Sequence, residues 1–275
     1  MTAAIALTIA GSDSGGGAGI QADLKAFSAL GAYGCSVVTA LTAQNTLGVQ
    51  GIFPVDPAFV REQMDSVFSD LAVDAVKIGM LGTPEVIHAV ADGLERWRPR
   101  LVVLDPVMVA KGGQKLLAEE AVEALRARLL PLCVVVTPNL PEAGALLGDD
   151  EPPRERREMG RAAARLQGLG ARNVLIKGGH LDAASESPDL LLHGGEHYWL
   201  EGARVPTRRT HGTGCTLSAA IAALLARRRP LPTAVAEAKR YLAGAIAAAE
   251  ELGVGRGHGP VHHFHQLWPH LERQP

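Results

Sequence analysis

The chain has 275 residues, with 27 Lys or Arg against 29 Asp or Glu, and its formal net charge is -2. This length suits one large α/β domain or two small ones, and 47% hydrophobic with 4% aromatic residues is typical of a globular protein with an aliphatic core. The sequence has no basic stripe interleaved with aromatic residues and no apolar stretch long enough to cross a bilayer, which argues against nucleic-acid binding and a membrane span.

The cysteine pattern and the first residues bear on the compartment. Cys35, Cys133 and Cys215 are odd in number and far apart, so they fit neither a disulfide framework nor a metal motif. Cys35 and Cys133 stand in apolar runs and are interpreted as buried small hydrophobes. Residues 1–7 lack the charged region and long apolar core of a signal peptide. Together these features predict a cytoplasmic protein.

Short apolar runs alternate with helical segments along the whole chain. Strands are predicted at residues 5–10, 36–41, 75–78, 101–104, 134–137 and 174–177. Helices are predicted at residues 20–30, 56–71, 83–95, 119–129, 141–147, 158–169, 216–226 and 232–252. Residues 189–192 and 198–200 predict a β-hairpin at a sheet edge. This alternation favours one α/β domain, with a mostly parallel sheet and helices on both faces.

The first predicted strand is followed by a glycine-rich loop at residues 11–19, Gly-Ser-Asp-Ser-Gly-Gly-Gly-Ala-Gly. The loop lacks the Gly-Lys-Ser/Thr ending of a Walker motif and the acidic partner and spacing of a dinucleotide fingerprint. It is interpreted as a loop that closes over a small substrate, with Asp23 nearby on the following helix.

The residues just beyond the next strands are binding candidates, because ligands of doubly wound sheets lie at the carboxyl ends of the strands. Gln44 follows the second strand, and its amide suits the paired edge of an aminopyrimidine ring. A turn amide bonded to local backbone is the alternative for Gln44. Met80 follows the third strand and fits either a soft pocket wall or the core.

The later strand ends carry groups that fit phosphate and magnesium chemistry. Asp105 follows the fourth strand and is a candidate magnesium ligand, and residues 111–113, Lys-Gly-Gly, fit the tip of a flap. Asn139 and Glu142 follow the fifth strand and fit either a helix cap or a hydrated magnesium carried by nucleotide phosphates. Lys177 leaves the sixth strand into two glycines and is placed to hold a phosphate.

Residues 209–218 read Arg-Thr-His-Gly-Thr-Gly-Cys-Thr-Leu-Ser and run into an Ala/Leu-rich helix. Gly212 and Gly214 let the backbone approach a ligand and direct N–H groups outward, which predicts an anion-binding concavity at the positive end of the helix. The thiol of Cys215 is then expected to have a lowered pKa and to act as a base or a nucleophile. The alternative is a glycine-rich helix start that only satisfies its own N–H groups.

Four histidines lie within residues 257–265. No cysteine or carboxylate accompanies them to complete a metal site. A surface segment is therefore favoured over metal binding.

The motifs together resemble those of the hydroxymethylpyrimidine/phosphomethylpyrimidine kinases of thiamine biosynthesis, in the ribokinase-like superfamily. The resemblance extends over nearly the whole chain and is carried by residues 10–23, 42–46, 77–81, 105–108, 137–139, 177–180 and 211–216. It implies a single ribokinase-like domain over residues 1–275 and a homodimer. It also implies phosphorylation of 4-amino-5-hydroxymethyl-2-methylpyrimidine, and then of its monophosphate, with ATP and Mg2+.

The resemblance also implies roles for individual residues. Gln44 binds the pyrimidine, and the pocket around it is lined by Gly11, Ala18, Asp23, Met80 and Val107. Asp105 and Glu142 serve magnesium, and the nucleotide is held by Asn139, Lys177 and Thr210. Gly212, Thr213 and Gly214 surround the transferred phosphoryl group. Cys215 stands where most ribokinase-like enzymes carry an aspartate base.

Other functions stay open on the sequence alone. A pyridoxal kinase would use the same scaffold and cysteine for another hydroxymethyl heterocycle. A non-catalytic sensor would be free to lose Lys177, Glu142 or Cys215, all of which are present. A covalent thiol intermediate is disfavoured because no His–Asp pair is expected to activate the thiol, and His211 fits a role in shaping the turn.

Overall fold

The computed structural model describes residues 2–108, 118–179, 181 and 186–271. The strands of its main sheet are β1 (Ile5–Ala10), β2 (Tyr33–Val38), β5 (Ala75–Ile78), β6 (Val102–Leu104), β7 (Val135–Val136), β8 (Val174–Ile176), β9 (Asp189–His193) and β10 (Glu196–Leu200). Their order across the sheet is β10-β9-β8-β7-β6-β5-β1-β2. Six neighbouring strands of this sheet pair in parallel, namely β2, β1, β5, β6, β7 and β8. The antiparallel hairpin β9–β10 forms one edge. The mostly parallel sheet and its edge hairpin are confirmed.

Eight α-helices lie in the described part of the chain. They are α1 (Gly19–Ala29), α2 (Pro57–Asp70), α3 (Pro84–Trp97), α4 (Glu119–Ala124), α5 (Leu140–Leu147), α6 (Arg156–Gly168), α7 (Thr213–Ala226) and α8 (Leu231–Ala247). The predicted caps at Asp56 and Thr83 are present, since their side chains accept the N–H groups of Ala58 and Val86. None of these helices combines the length and apolarity that a bilayer crossing requires.

The sheet is buried on both faces by separate cores. Leu7 and Ile9 of β1 pack with α2, α3 and α6 on one side, whereas Ala6 packs with α1, α7 and α8 on the other. Successive side chains of a strand point to opposite faces, so a strand that is buried on both faces is largely apolar, with Thr8 and Lys77 as buried polar exceptions. Helix α7 is also apolar on all sides, because it lies between the sheet and helices α1 and α8.

The predicted strand at residues 36–41 is wrong in extent. The chain instead forms β2 and then a separate antiparallel pair, β3 (Ala40–Asn45) and β4 (Gly48–Pro54). Polar residues in β3 give a weak strand signal, and contacts to the glycine loop compensate for it. Ser12 Oγ accepts the N–H of Thr42 at 3.2 Å, and Ser14 Oγ accepts the N–H of Gln44 at 2.8 Å. The pair places β3 over the carboxyl edge of the main sheet.

Candidate active site

Two cavities meet at the carboxyl edge of the parallel strands. The first, which we call the glycine-loop cavity, has a volume of about 550 Å³ and lies between the loop after β1, strand β3 and the start of α7. The second, the hairpin cavity, has a volume of about 850 Å³ and lies between β10, α8 and the same end of α7. The residues that line both cavities are Asn139, Lys177, Thr210, Thr213 and Gly214. A ligand in either cavity therefore reaches the same point.

The predicted substrate residues come together with one exception. Those that line the glycine-loop cavity are Gly11, Ala18, Gln44, Met80 and Val107. Gln44 lies within strand β3 and not in a turn beyond a strand, so its backbone is fixed by β4 and by Ser14. Asp23 is the exception.

Asp23 is fully buried beneath this cavity and does not line it. Its Oδ2 accepts from Lys77 Nζ at 2.8 Å and from Thr8 Oγ1 at 2.6 Å. The Lys77 side chain is equally buried. Burial alone would lower the pKa of Lys77, but the neighbouring carboxylates, chiefly Asp23, raise it above its usual value. The expectation that Asp23 forms part of the pocket wall is corrected: it holds Lys77, which itself faces the cavity beside Cys215.

The first turn of α7 forms the predicted anion site where the cavities meet. Gly212 has φ of 80° and is the N-cap, so no side chain caps the helix. A Cβ at Gly212 would collide with the carbonyl oxygen of Gly17, and a Cβ at Gly214 would lie 3.4 Å from Lys177 Nζ. Glycine is therefore required at position 212, whereas the contact at Gly214 is an ordinary van der Waals distance. The helix end directs its N–H groups and its positive partial charge towards the junction.

Cys215 lies in this first turn, and the pKa of its thiol is raised, whereas the sequence predicted a lowered value. Burial raises the pKa of the thiol to about 11, even though the Lys77 ammonium and the backbone N–H of Gly19 act to lower it. The expected lowering at a helix start is therefore wrong. Loss of hydration, together with the nearby carboxylates of Asp23 and Asp105, outweighs the attraction of the Lys77 ammonium.

Lys177 lies between two carboxylates at the junction. Its Nζ is 3.0 Å from Asp105 Oδ1 and 3.6 Å from Glu142 Oε2. Burial opposes a charge on Lys177, but Asp105 and Glu142 raise its pKa, so the side chain stays protonated. Burial raises the pKa of Glu142 as well, against the attraction of Lys177. Asp105 and Glu142 together offer more hydrogen-bond acceptor sites than the Lys177 ammonium has hydrogens to donate.

Asn139 and Glu142 form the helix cap that was one of the two interpretations made from the sequence. They form a capping box at the start of α5, where Asn139 Oδ1 accepts the N–H of Glu142 and Glu142 Oε2 accepts the N–H of Asn139, each at 2.8 Å. Both side chains also line the glycine-loop cavity. The cap therefore fixes the orientation of Glu142 towards Lys177.

An Asp–His pair that sequence reasoning missed lies in the same cavity. Asp13 is buried, and its carboxylate accepts the N–H groups of Gly15, Gly17 and Ala18 and of His211 Nε2. The pair contacts Gln44, and no hydrogen bond from His211 to Cys215 occurs among the described residues. The only sequence signal was an aspartate inside a loop of glycines, whose free N–H groups need an acceptor.

Two further expectations concern segments away from this junction. Residues 111–113, interpreted as a flap tip, lie outside the described residues. The histidine segment at 257–265 is not a simple surface segment, because His262 and His263 are buried. His263 Nε2 lies 2.9 Å from Thr216 Oγ1, and burial lowers the pKa of His263 to about 3. Within the described ranges no cluster of three or more His, Cys, Asp or Glu residues could hold a metal ion.

The fold and the paired cavities define a small-molecule kinase with the ribokinase-like fold. An ADP complex of Bacillus subtilis pyridoxal kinase is similar, with a TM-score of 0.88 and 39% identity over 97% of this chain and 100% of that one. Phosphomethylpyrimidine kinase from Clostridium difficile has a TM-score of 0.78 and 43% identity over 88% of this chain and 98% of that one.

The sequence comparisons identify the family within that class. The chain belongs to the phosphomethylpyrimidine kinase family, whose model matches residues 13–262. Hydroxymethylpyrimidine/phosphomethylpyrimidine kinase of Salmonella typhimurium is 56% identical over 263 residues, which are 96% of this chain and 98% of that protein. The resemblance inferred from the motifs is confirmed.

Proposed function

We propose that this protein transfers a phosphoryl group from ATP to the hydroxymethyl oxygen of 4-amino-5-hydroxymethyl-2-methylpyrimidine, and then a second one to the resulting monophosphate. The observation that carries the proposal is the meeting of two cavities at Lys177 and the amino end of α7. Two ligands held in separate cavities would bring a phosphate and an acceptor to one anion-binding point. The names of the Salmonella and Clostridium relatives support the pyrimidine, and the bound ADP of the Bacillus kinase supports ATP.

In this proposal the glycine-loop cavity holds the pyrimidine. Gln44 offers an amide to the ring edge, Met80 and Val107 supply apolar contact, and Gly11 and Ala18 complete the lining. The hairpin cavity holds the nucleotide, with Asn139 and Thr210 beside its phosphates.

The catalytic roles follow from charge and position. Phosphoryl transfer asks a protein mainly for positioning and charge stabilisation. Lys177 and the N–H groups of Gly212, Thr213 and Gly214 would stabilise the charge on the transferred group. Cys215, as thiolate, would take the proton of the hydroxymethyl group as the new P–O bond forms. Because its pKa is about 11, the thiol must ionise before it can act.

The residues at the junction fit magnesium. Asp105 and Glu142 are two buried carboxylates that share one ammonium partner, Lys177, so acceptor capacity remains. Mg2+ in nucleotide sites is usually bound by one or two carboxylates together with substrate phosphates and water. Asp105 and Glu142 would hold it. When bound, the ion would neutralise phosphate charge.

A coupled assay of ADP release tests the proposed function. We expect Mg-ATP turnover with the pyrimidine alcohol and with its monophosphate. Pyridoxal is the competing acceptor, because the Bacillus pyridoxal kinase superposes closely on this chain. We expect its kcat/KM to be at least about tenfold lower, which corresponds to roughly 1.4 kcal/mol of transition-state binding. Equal turnover of pyridoxal would assign the protein to that activity, and pyrimidine binding without ADP release would make it a sensor.

We also propose a homodimer that uses the outer face of the β3–β4 pair. Leu41 and Phe53 are opposite each other on this face, and they are 51% and 70% exposed. Adjacent exposed apolar side chains of this size are typical of an association surface, and a two-fold dimer pairs such a surface with itself.

Phe53→Asp is expected to convert the dimer into a monomer at micromolar concentration in sedimentation equilibrium, because two carboxylates would face each other across the two-fold axis. Leu169→Asp changes a half-exposed leucine just beyond α6 and serves as the control. A wild-type protein that stays monomeric at all concentrations would contradict the proposal.

A further inference from the structure

A chain of three polar side chains connects the glycine loop, the start of α7 and strand β3. His211 Nε2 lies 2.8 Å from Asp13 Oδ2. The same nitrogen lies 3.2 Å from the terminal amide nitrogen of Gln44. All three side chains border the glycine-loop cavity. Neither Asp13 nor His211 takes part in the proposed phosphoryl transfer.

Asp13 decides which atom of the imidazole carries the proton. Burial opposes ionisation of Asp13, but hydrogen bonds from His211 and from the N–H groups of Ala18 and Gly15 outweigh it and lower the pKa of the carboxyl group. An ionised carboxylate accepts hydrogen bonds and donates none. His211 Nε2 must therefore be the N–H donor to Asp13, whether the ring is neutral or charged.

This proton in turn decides how the Gln44 amide is oriented. A ring nitrogen that donates to Asp13 cannot also accept a hydrogen from Gln44. Two N–H groups that face each other repel, whereas a half-turn of the amide brings its oxygen to the imidazole N–H. The oxygen and nitrogen ends of an amide are nearly equal in size, so the half-turn needs no other movement. The NH2 group then points towards the rest of the cavity.

We propose that His211, held by Asp13, is a positioning residue that makes Gln44 a hydrogen-bond donor towards the substrate. The site thereby selects heterocycles whose ring nitrogen carries a free lone pair, and it disfavours rings whose nitrogen is protonated. This inference rests on the proposed function for the identity of the substrate. It adds the reason why a weakly basic pyrimidine suits the site better than a more basic pyridine.

The direct test is the affinity for two ligands by titration calorimetry, without ATP. One ligand is the pyrimidine alcohol, and the other is the benzyl alcohol analogue in which C–H replaces both ring nitrogens. We expect wild type to favour the pyrimidine about tenfold or more, since a site built to hydrogen-bond a group rejects the analogue that lacks it. His211→Phe keeps a ring in place and removes the N–H. It should weaken pyrimidine binding about tenfold and leave the analogue unchanged.

A second variant, one control variant and a kinetic measurement keep the test decisive. The carboxylate of Gln44→Glu has no hydrogen to donate, so this variant should lose the preference for the pyrimidine. If the native amide instead directed its oxygen to the ring, Gln44→Glu would keep that preference, which would contradict the proposal. His197→Phe removes an exposed imidazole of β10 and should match wild type. With ATP, His211→Phe should raise KM about tenfold and change kcat less than about threefold, as expected for a lost ground-state contact.

The outcomes separate this inference from the proposed function. A wild-type protein that binds neither ligand, or releases no ADP with the alcohol, overturns the proposed function. An active wild type whose ligand preference survives in His211→Phe, with thermal unfolding unchanged, overturns the role of His211 alone.

Discussion

Cys215→Ala is expected to slow phosphorylation of the pyrimidine alcohol by about 10²–10⁴-fold in kcat, the usual contribution of a positioned general base. The monophosphate acceptor is already an anion and needs no base, so its phosphorylation should change by less than about fivefold. The two steps can be measured separately by supplying the alcohol or the monophosphate with Mg-ATP. Cys133→Ala, at a buried thiol outside both cavities, is the matched control.

The pH dependence gives the same prediction a second readout. The thiol of Cys215 has a pKa of about 11, so the thiolate fraction increases about tenfold per pH unit below that value. The kcat/KM for the alcohol should therefore rise between pH 7 and about pH 9 in wild type, and the rise should vanish in Cys215→Ala. Equal slowing of both steps by the substitution, or an unchanged pH profile, would exclude the thiol as the base.

Lys177→Met is expected to reduce kcat for both phosphorylation steps by about 10²–10³-fold, because it removes a fixed positive charge where the transferred group lies. The loss should be similar for the two acceptors, since Lys177 acts on the phosphoryl group and not on the acceptor proton. This equality distinguishes it from Cys215→Ala. Product formation with saturating ATP is the measurement, and a kcat within threefold of wild type would contradict the role.

The same substitution has a structural consequence. Without Lys177, the carboxylates of Asp105 and Glu142 would lie buried without an ammonium partner, and breaking a buried pair in this way costs about 3–5 kcal/mol. Urea unfolding should show this loss. Arg165→Met, which breaks an exposed pair with Asp149, should change the unfolding free energy much less. Bound Mg-ATP would not restore kcat in Lys177→Met, so the two effects can be separated.

The ends of the later parallel strands could be predicted from sequence with little error, whereas the end of the second strand could not. Asn139 and Lys177 follow short apolar runs, and parallel strands end at a common edge, so residues far apart in sequence were expected to meet. The isolated bridge between Asn139 and Lys177 confirms that these two positions are neighbours. The close backbone approach at Gly212 was predictable from its glycine, and there the carbonyl oxygen of Gly17 leaves no room for a side chain.

Other features depend on packing that no local pattern specifies. Asp23 was expected in the pocket because it follows the glycine loop, but helix α1 turns it towards Lys77 on β5. Lys77 itself carried a usable signal, because a lysine within a buried strand needs a charged partner. Strand β3 was missed because its pairing depends on β4 and on the hydroxyl groups of the loop.

The pKa of Cys215 illustrates a balance that sequence alone does not decide. A helix start and a nearby lysine act to lower it, whereas burial acts to raise it. The sequence indicates that both effects exist. Which of them is larger depends on how far the fold removes the thiol from water. Burial is the larger influence on the pKa of Cys215.

Phosphorus NMR of the reaction of the wild-type protein with the pyrimidine alcohol and Mg-ATP tests the proposed function most directly. We expect a phosphomonoester signal to appear first and the signals of a pyrophosphate ester to follow as the monoester is consumed, with ADP formed in step with each transfer. ATP that stays intact while the alcohol is bound, or a phosphomonoester that forms only from pyridoxal, would contradict the proposal.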